Sequence, residues 1–214
     1  MNYRLLLFLA PLTALGGWAT VTVENLPEYL TSGQPTTLTF TVRQHGVRLL
    51  DDLKPNIQAV TAAGGAVQAA ATPAGSTGRY AATFTLPSPG TWTISIQSGW
   101  GTSRNTLEPI TAIAPGTRVP PPVAAAVRGR QLFMAKGCAT CHLYRGLSDG
   151  SLAVGPELTD RRFSSAYLAR FLADPMGTLG DRRTSQAEMP NLNLSSTEIA
   201  SLWAFLQGGA TNGD

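Results

Sequence analysis

Two cysteines and a histidine stand close together in the chain, as Cys138-Ala139-Thr140-Cys141-His142. Two thiols at this spacing reach the two vinyl groups on one edge of a porphyrin, and the adjacent His142 then lies under the iron as its proximal ligand. The chain has two cysteines and two histidines in all, so chance explains the arrangement poorly. The motif therefore predicts one haem c, with its iron, bound covalently through two thioether bonds.

Three other uses of the cysteine pair agree less well with the surrounding sequence. A redox-active dithiol is typical of a βαβ setting, whereas the sequence around the motif has helical periodicity. A structural zinc ion needs four ligands, and the other histidine, His45, lies in a different part of the chain. A plain disulfide, common in exported proteins, leaves His142 without a role.

A methionine is the expected second axial ligand, because a thioether raises the potential of haem iron, as suits an electron carrier. The candidates are Met134, Met176 and Met189. Met134 precedes the motif on a predicted helix, and Met176 stands near the end of another, so packing is the expected role of both. Met189 is followed by Pro190, which restricts its backbone, and it stands shortly before a capped helix. We favour Met189.

Helical periodicity in residues 123–214 predicts the elements that position these groups. A first helix is expected over residues 123–136 and a second over Ser165–Ala173, stopped by Pro175. Ser195 and Glu198 have capping-box spacing and begin a last helix, which ends at Gly208-Gly209. The long polar stretch 176–194 is predicted to be a functional loop or to wrap a bound group.

Residues 20–113 have the alternation of half-buried strands instead. Leu38, Phe40 and Val42 alternate with threonines, and about seven such runs, separated by turn signals, predict an immunoglobulin-like β-sandwich. Residues 114–122 are rich in proline and predict a semi-rigid linker that keeps the two halves as separate bodies. The predicted fold is multidomain, all-β plus all-α.

The helical half resembles class I monohaem cytochrome c over residues 129–208. Gly129 to Phe133 followed by Lys136-Gly137-Cys138 is similar to the family's first helix and haem motif. Gly155-Pro156-Glu157-Leu158 is similar to its Gly-Pro-x-Leu, which implies that the Pro156 carbonyl accepts a hydrogen bond from His142. Met189-Pro190 resembles its methionine ligand. The resemblance also implies that Gly129 or Phe133 packs against Trp203. Residues 20–112 more weakly resemble the YtkA-like group of exported immunoglobulin-like domains.

Residues 1–19 read as a signal peptide, with Arg4, an apolar run over residues 5–15 and Gly17-Trp18-Ala19 as a small-x-small ending. An uncleaved membrane anchor is the alternative. Either one predicts an exported protein, periplasmic or on the outer face of the cytoplasmic membrane. The formal net charge of +3 and the 14% of charged residues argue against nucleic acid or an anionic membrane surface as partner.

Together these features predict electron transfer to a redox protein partner, such as a membrane-bound oxidase or reductase complex, with no small-molecule substrate. Two alternatives stay open. One is a catalytic haem subunit, peroxidase-like or nitrogen-oxide reducing. The other is an assembly factor that handles copper through the N-terminal half, where His45 is the candidate ligand. One or two of the loop arginines could hold a haem propionate or a partner, and these are Arg161, Arg162, Arg182 and Arg183.

Overall fold

The computed structural model describes residues 17–147, 152–179 and 188–209. Almost all of the predicted signal segment, together with Arg182 and Arg183, therefore lies outside the described residues. Within the described ranges the N-terminal half contains only strands. They are β1 (Ala19–Val23), β2 (Tyr29–Thr31), β3 (Pro35–Gln44), β4 (Arg48–Leu49), β5 (Asn56–Val60), β6 (Ala66–Ala70), β7 (Thr72–Pro73), β8 (Arg79–Thr85), β9 (Gly90–Gln97), β10 (Arg104–Thr106) and β11 (Ile110–Ile113).

The strands form two sheets around one apolar core. The first sheet has the order β1-β3-β8-β7 with β4 beside β3, and the second has the order β2-β11-β9-β5-β6 with β10 beside β9. Strands β2 and β11 pair in parallel, and the other pairs are antiparallel. Alternate residues point into the core, where Phe40, Tyr80 and Trp92 are fully buried. These facing sheets and the helical half described next confirm the predicted all-β plus all-α fold.

The C-terminal half contains the helices α1 (Ala125–Ala135), α2 (Cys138–Cys141), α3 (Ser165–Ala173), α4 (Pro175–Leu179) and α5 (Ser196–Ala204), and a π-helical turn at Phe205–Gly209. Helix α3 has the predicted bounds. Helix α5 begins after Ser195, whose side chain accepts from the N–H of Glu198, and the Glu198 carboxylate accepts from the N–H of Ser195. The predicted capping box is thus present. Among the described residues, no helix is long and apolar enough to cross a membrane.

Helices α1 and α5 cross at Gly129. A Cβ atom at this position would overlap the carbonyl group of Ser201 and lie 2.7 Å from Cβ of Phe205. The ring centroids of Phe133 and Phe205 are 5.5 Å apart. The expected contact with Trp203 is therefore wrong. Trp203 lies two residues before Phe205, about 200° around the helix, and its indole N–H donates to the carbonyl of Phe163 at 2.8 Å.

The two halves are in direct contact, which the proline-rich linker did not lead us to expect. The side-chain amide of Asn105 donates to the carbonyl of Val21 at 2.8 Å and to that of Met134 at 2.9 Å. It thereby links β1, β10 and the C-terminal end of α1, where helix carbonyls lack internal partners. Arg130 of α1 forms an ion pair of 2.8 Å with Glu108. Polar groups of the sandwich thus satisfy polar groups of α1, so the linker does not hold the two halves apart.

Candidate functional site

The cysteine motif follows a sharp turn at the end of α1. Gly137 has a φ of +79°, in the left-handed region that glycine adopts most readily. A Cβ atom there would also lie 2.8 Å from the carbonyl oxygen of Val21. Glycine is thus required by the backbone conformation and by the closeness of β1. The chain then forms the single helical turn α2, which carries Cys138 and Cys141, and becomes extended at His142.

Three backbone hydrogen bonds hold the motif against the segment that contains Pro156. The N–H groups of Leu152, Gly155 and Leu158 each donate at 2.9 Å to carbonyls within residues 140–143. These bonds place Pro156 beside the histidine.

The imidazole of His142 is held in one tautomer. Its Nδ1 lies 2.9 Å from the carbonyl oxygen of Pro156, and because a carbonyl can only accept, Nδ1 carries the proton. Nε2 then keeps its lone pair for a metal ion. Burial lowers the pKa of His142, although the hydrogen bond to Pro156 acts in the opposite direction. A Cβ atom at Gly155 would lie 2.6 Å from Cε1 of the ring, so glycine makes the space for the imidazole.

The two thiols are protonated at neutral pH. Burial, with a smaller effect of the neighbouring Cys141, raises the pKa of Cys138 to about 12. Burial also raises the pKa of Cys141 to about 11. Redox-active dithiols have the opposite property, because their attacking cysteine is a stabilised thiolate. The electrostatics of the pair therefore argue against a redox dithiol.

Both cysteines and His142 face a cavity of about 400 Å³. This volume is within the usual range for cofactor sites, which are mostly apolar with a few placed polar groups. The side chains that form its apolar wall include Phe133, Leu168, Phe171, Leu172, Leu202 and Leu206. A flat apolar group with an iron at its centre fits this donor set, since two thiols, a neutral imidazole and a methionine thioether face one mostly apolar cavity.

Two of the three candidate methionines face this cavity. Met176 lies on the short helix α4, Met189 lies in the segment before α5, and both contribute to the lining. Met134 instead packs within the helical core. The segment after Met189 is fixed by Asn191, whose side-chain amide donates to the carbonyl of Ala173 at 2.7 Å. The structure thus brings Cys138, Cys141, His142, Pro156 and Met189 to one cavity, together with Met176.

Sequence reasoning missed a contribution from the sandwich. Thr20 and Thr22 of β1 line the same cavity, and each is only 5% exposed. Nothing in their local pattern distinguishes them from threonines on a solvent-facing side. Of the loop arginines, Arg161 lines the cavity, whereas Arg162 donates to the carbonyl of Leu206 at 3.3 Å.

His45 lies in the turn between β3 and β4. Its ring centroid is 5.3 Å from that of Trp18. Within the described ranges, no group of three or more His, Cys, Asp or Glu side chains could hold a metal ion.

Comparison with known families agrees with the resemblance expected for the helical half. Residues 126–210 match the model of the family described as Cytochrome c. The matched range contains the cysteine motif, Pro156 and both cavity methionines, so the C-terminal region is a cytochrome c domain. The family implies covalent haem c with iron and supports haem-based electron transfer. The expected resemblance is thereby confirmed for this region.

Comparison with solved structures finds more distant likenesses. The Lin-41 filamin domain is 16% identical, with a TM-score of 0.37, and the match covers 46% of this chain and 97% of that chain. Domains 4 and 5 of the S-layer protein SbsC are 18% identical, with a TM-score of 0.31, and the match covers 44% of this chain and 45% of that chain. No curated protein matches the chain significantly.

Proposed function

We propose that this protein transfers single electrons through one haem c, bound to Cys138 and Cys141 and ligated by His142 and Met189. The observation that carries the proposal is the convergence of these four side chains on one apolar cavity. A haem bound there supplies a one-electron couple between ferric and ferrous iron. With His142 and Met189 both holding the iron, the protein would leave no coordination site for a substrate.

The chain's own groups have separate tasks in this proposal. Cys138 and Cys141 fix the position of the haem edge through covalent bonds. Pro156 holds the Nδ1 proton of His142, which keeps Nε2 directed to the metal and makes the imidazole a stronger donor. The mostly apolar wall would keep water from much of the haem surface, which would reduce the solvent rearrangement that follows a change of charge.

Met189 is proposed as the sixth ligand because two neighbours restrict its backbone. Pro190 limits its conformation, and Asn191 is tied to the end of α3. A thioether stabilises ferrous over ferric iron and raises the reduction potential. Met176 is the alternative ligand, since it also lines the cavity.

The proposed setting is outside the cytoplasm, with a redox protein as partner, such as a membrane-bound oxidase or reductase complex. The signal-like residues 1–19 support export. The small positive net charge supports a weakly acidic docking surface on the partner, and contacts between redox proteins are typically small and transient.

Absorption spectra of the oxidised and reduced full-length protein test the proposal. We expect a low-spin ferric spectrum with the weak far-red band of sulfur–iron ligation, and no carbon monoxide binding to the reduced protein within minutes. Peroxide and nitric oxide should be reduced slowly at most. A high-spin resting spectrum with rapid binding of external ligands would overturn the carrier function and favour a catalytic haem.

A further inference from the structure

The sandwich contributes a wall to the cavity that holds the cysteine motif. All five residues of β1 are buried, although a strand at the side of a sandwich normally exposes alternate residues. Val21 and Val23 face the sandwich core, while Thr20 and Thr22 face the helical half and line the cavity. The hydroxyl of Thr22 donates to the carbonyl of Lys136 at 3.3 Å, next to the motif. Strand β1 therefore packs into the sandwich core with one face and lines the cavity of the helical half with the other.

A second part of the sandwich reaches the segment that carries Met189. The turn between β3 and β4 contains Gly46, which is buried and has a φ of +77°. A Cβ atom on Gly46 would lie 2.5 Å from the carbonyl oxygen of Glu188 and 3.6 Å from Cδ of Pro190. These are the two neighbours of Met189. The turn thus approaches the methionine's backbone more closely than any side chain would permit.

The turn is itself held firmly, so it acts as a support. The N–H of Val47 donates to the carbonyl of Gln44 at 3.0 Å, and the N–H of Leu50 donates to that of Val42 at 3.1 Å. The Met189 segment therefore lies between the Gly46 turn and the end of α3, to which Asn191 ties it.

We propose that the Gly46 turn is a positioning element for Met189, and that the sandwich is a structural part of the haem site. The turn limits how far residues 188–190 can move away from the cavity, and so keeps the thioether in reach of the iron. This inference rests on the proposed function, in which Met189 is the sixth ligand. In this role the sandwich helps to keep Met189 in position, and does not serve only to attach the haem domain to another protein.

The test compares Gly46→Ala with Gly33→Ala in the full-length, haem-loaded protein. Both glycines lie in turns of the sandwich with similar φ angles, +77° and +72°, so both substitutions strain the backbone. A Cβ atom at Gly33 meets no atom within 4 Å, whereas one at Gly46 collides with Glu188. Gly33→Ala therefore controls for strain in the sandwich without disturbing the methionine segment.

We expect Gly46→Ala to weaken the far-red sulfur–iron band, to lower the reduction potential, and to speed cyanide binding about tenfold or more, because the open state becomes more populated. Gly33→Ala should leave all three unchanged. Gly46→Asn is a second variant in case Gly46→Ala fails to fold, because asparagine tolerates positive φ but still carries the colliding Cβ atom.

Equal band intensity, potential and cyanide rate in the Gly46 and Gly33 variants would refute the positioning role. The proposed function would survive that result as long as the unaltered protein keeps its sulfur–iron band. If the unaltered protein lacks the band, it is the Met189 ligation that fails. The two failures are thus distinguished in the same set of spectra.

Discussion

Nζ of Lys136 lies 2.8 Å from Oε1 of Glu198, so one ion pair joins the C-terminal end of α1 to the first turn of α5. The Lys136 side chain is 3% exposed, and its ammonium group also donates to the carbonyl of Glu24 at 3.1 Å. A buried ammonium group is costly unless it is paired and hydrogen-bonded. The pair therefore fixes the corner where the sandwich, α1 and α5 meet.

A double-mutant cycle on this pair should show strong coupling. Glu198→Gln leaves the buried Lys136 ammonium without its counter-charge, and we expect it to lower the free energy of unfolding by about 2–4 kcal/mol. Lys136→Met combined with Glu198→Gln should cost less than Glu198→Gln alone, because no unpaired charge then remains buried. Denaturant unfolding of the haem-loaded variants measures these free energies of unfolding. Additive single effects would contradict it.

The same pair predicts a dependence of stability on acid pH. Burial raises the pKa of the Glu198 carboxyl. Hydrogen bonds from Lys136 and Ser195 together lower this pKa by more than burial raises it, so the net shift is downward. A carboxyl with a lowered folded-state pKa stabilises the protein above its unfolded pKa, about 4.3 for Glu, and this contribution is lost as the pH falls through the folded value.

Unfolding free energies measured between neutral and acid pH should therefore fall more steeply below about pH 4 in the unaltered protein than in Glu198→Gln. Lys136→Met is the matched control, since it removes the partner that lowers the carboxyl pKa and should flatten the same part of the curve. Parallel curves for all three proteins would show that the pair does not link stability to pH.

Haem attachment should depend on both cysteines. Cys138→Ala and Cys141→Ala each remove one thioether bond, so the haem signal that survives denaturing electrophoresis should decrease in each and vanish in the double variant. Thr140→Ser changes a neighbouring position of the motif and should retain the full signal. The mass of the unaltered protein should include one haem. Haem that is extracted by acid acetone from the unaltered protein would end the c-type assignment.

The sixth ligand is identified by substituting the two cavity methionines separately. Met189→Ala should abolish the far-red band, admit cyanide or carbon monoxide, and lower the reduction potential. Met176→Ala should change these properties little, because Met176 is expected to serve only as part of the wall. Met134→Ala, at a position outside the cavity lining, controls for general loss of packing. The converse pattern would assign Met176 as the ligand.

The sequence predicted those elements whose hydrogen bonds and backbone conformations involve only residues close together in the chain. The capping box at Ser195 and Glu198 fixes where α5 begins, because its donors and acceptors lie within one turn. The left-handed Gly208, with a φ of +88°, ends the helical segment as the glycine pair predicted. The cysteine motif is equally local. Each of these features involves residues a few positions apart.

Features that depend on contacts between the halves were not predictable in this way. Alternation places Thr20 and Thr22 on the polar side of β1, but a period of two cannot tell whether water or another element covers that side. Lysine is typically a surface residue, yet the Lys136 side chain is buried and its partners are Glu24, directly after β1, and Glu198 in α5. The choice between Met176 and Met189 is also non-local, because helix α4 brings the former to the same cavity.

The close approach of Gly46 to the Glu188 carbonyl has an evolutionary consequence. A replacement at position 46 is tolerated only if the backbone around position 189 shifts to make room, so relatives of this protein should vary at the two places together. Recombination that exchanged either half for a foreign domain would disrupt the fit on both sides. The two halves should accordingly be inherited together as one unit.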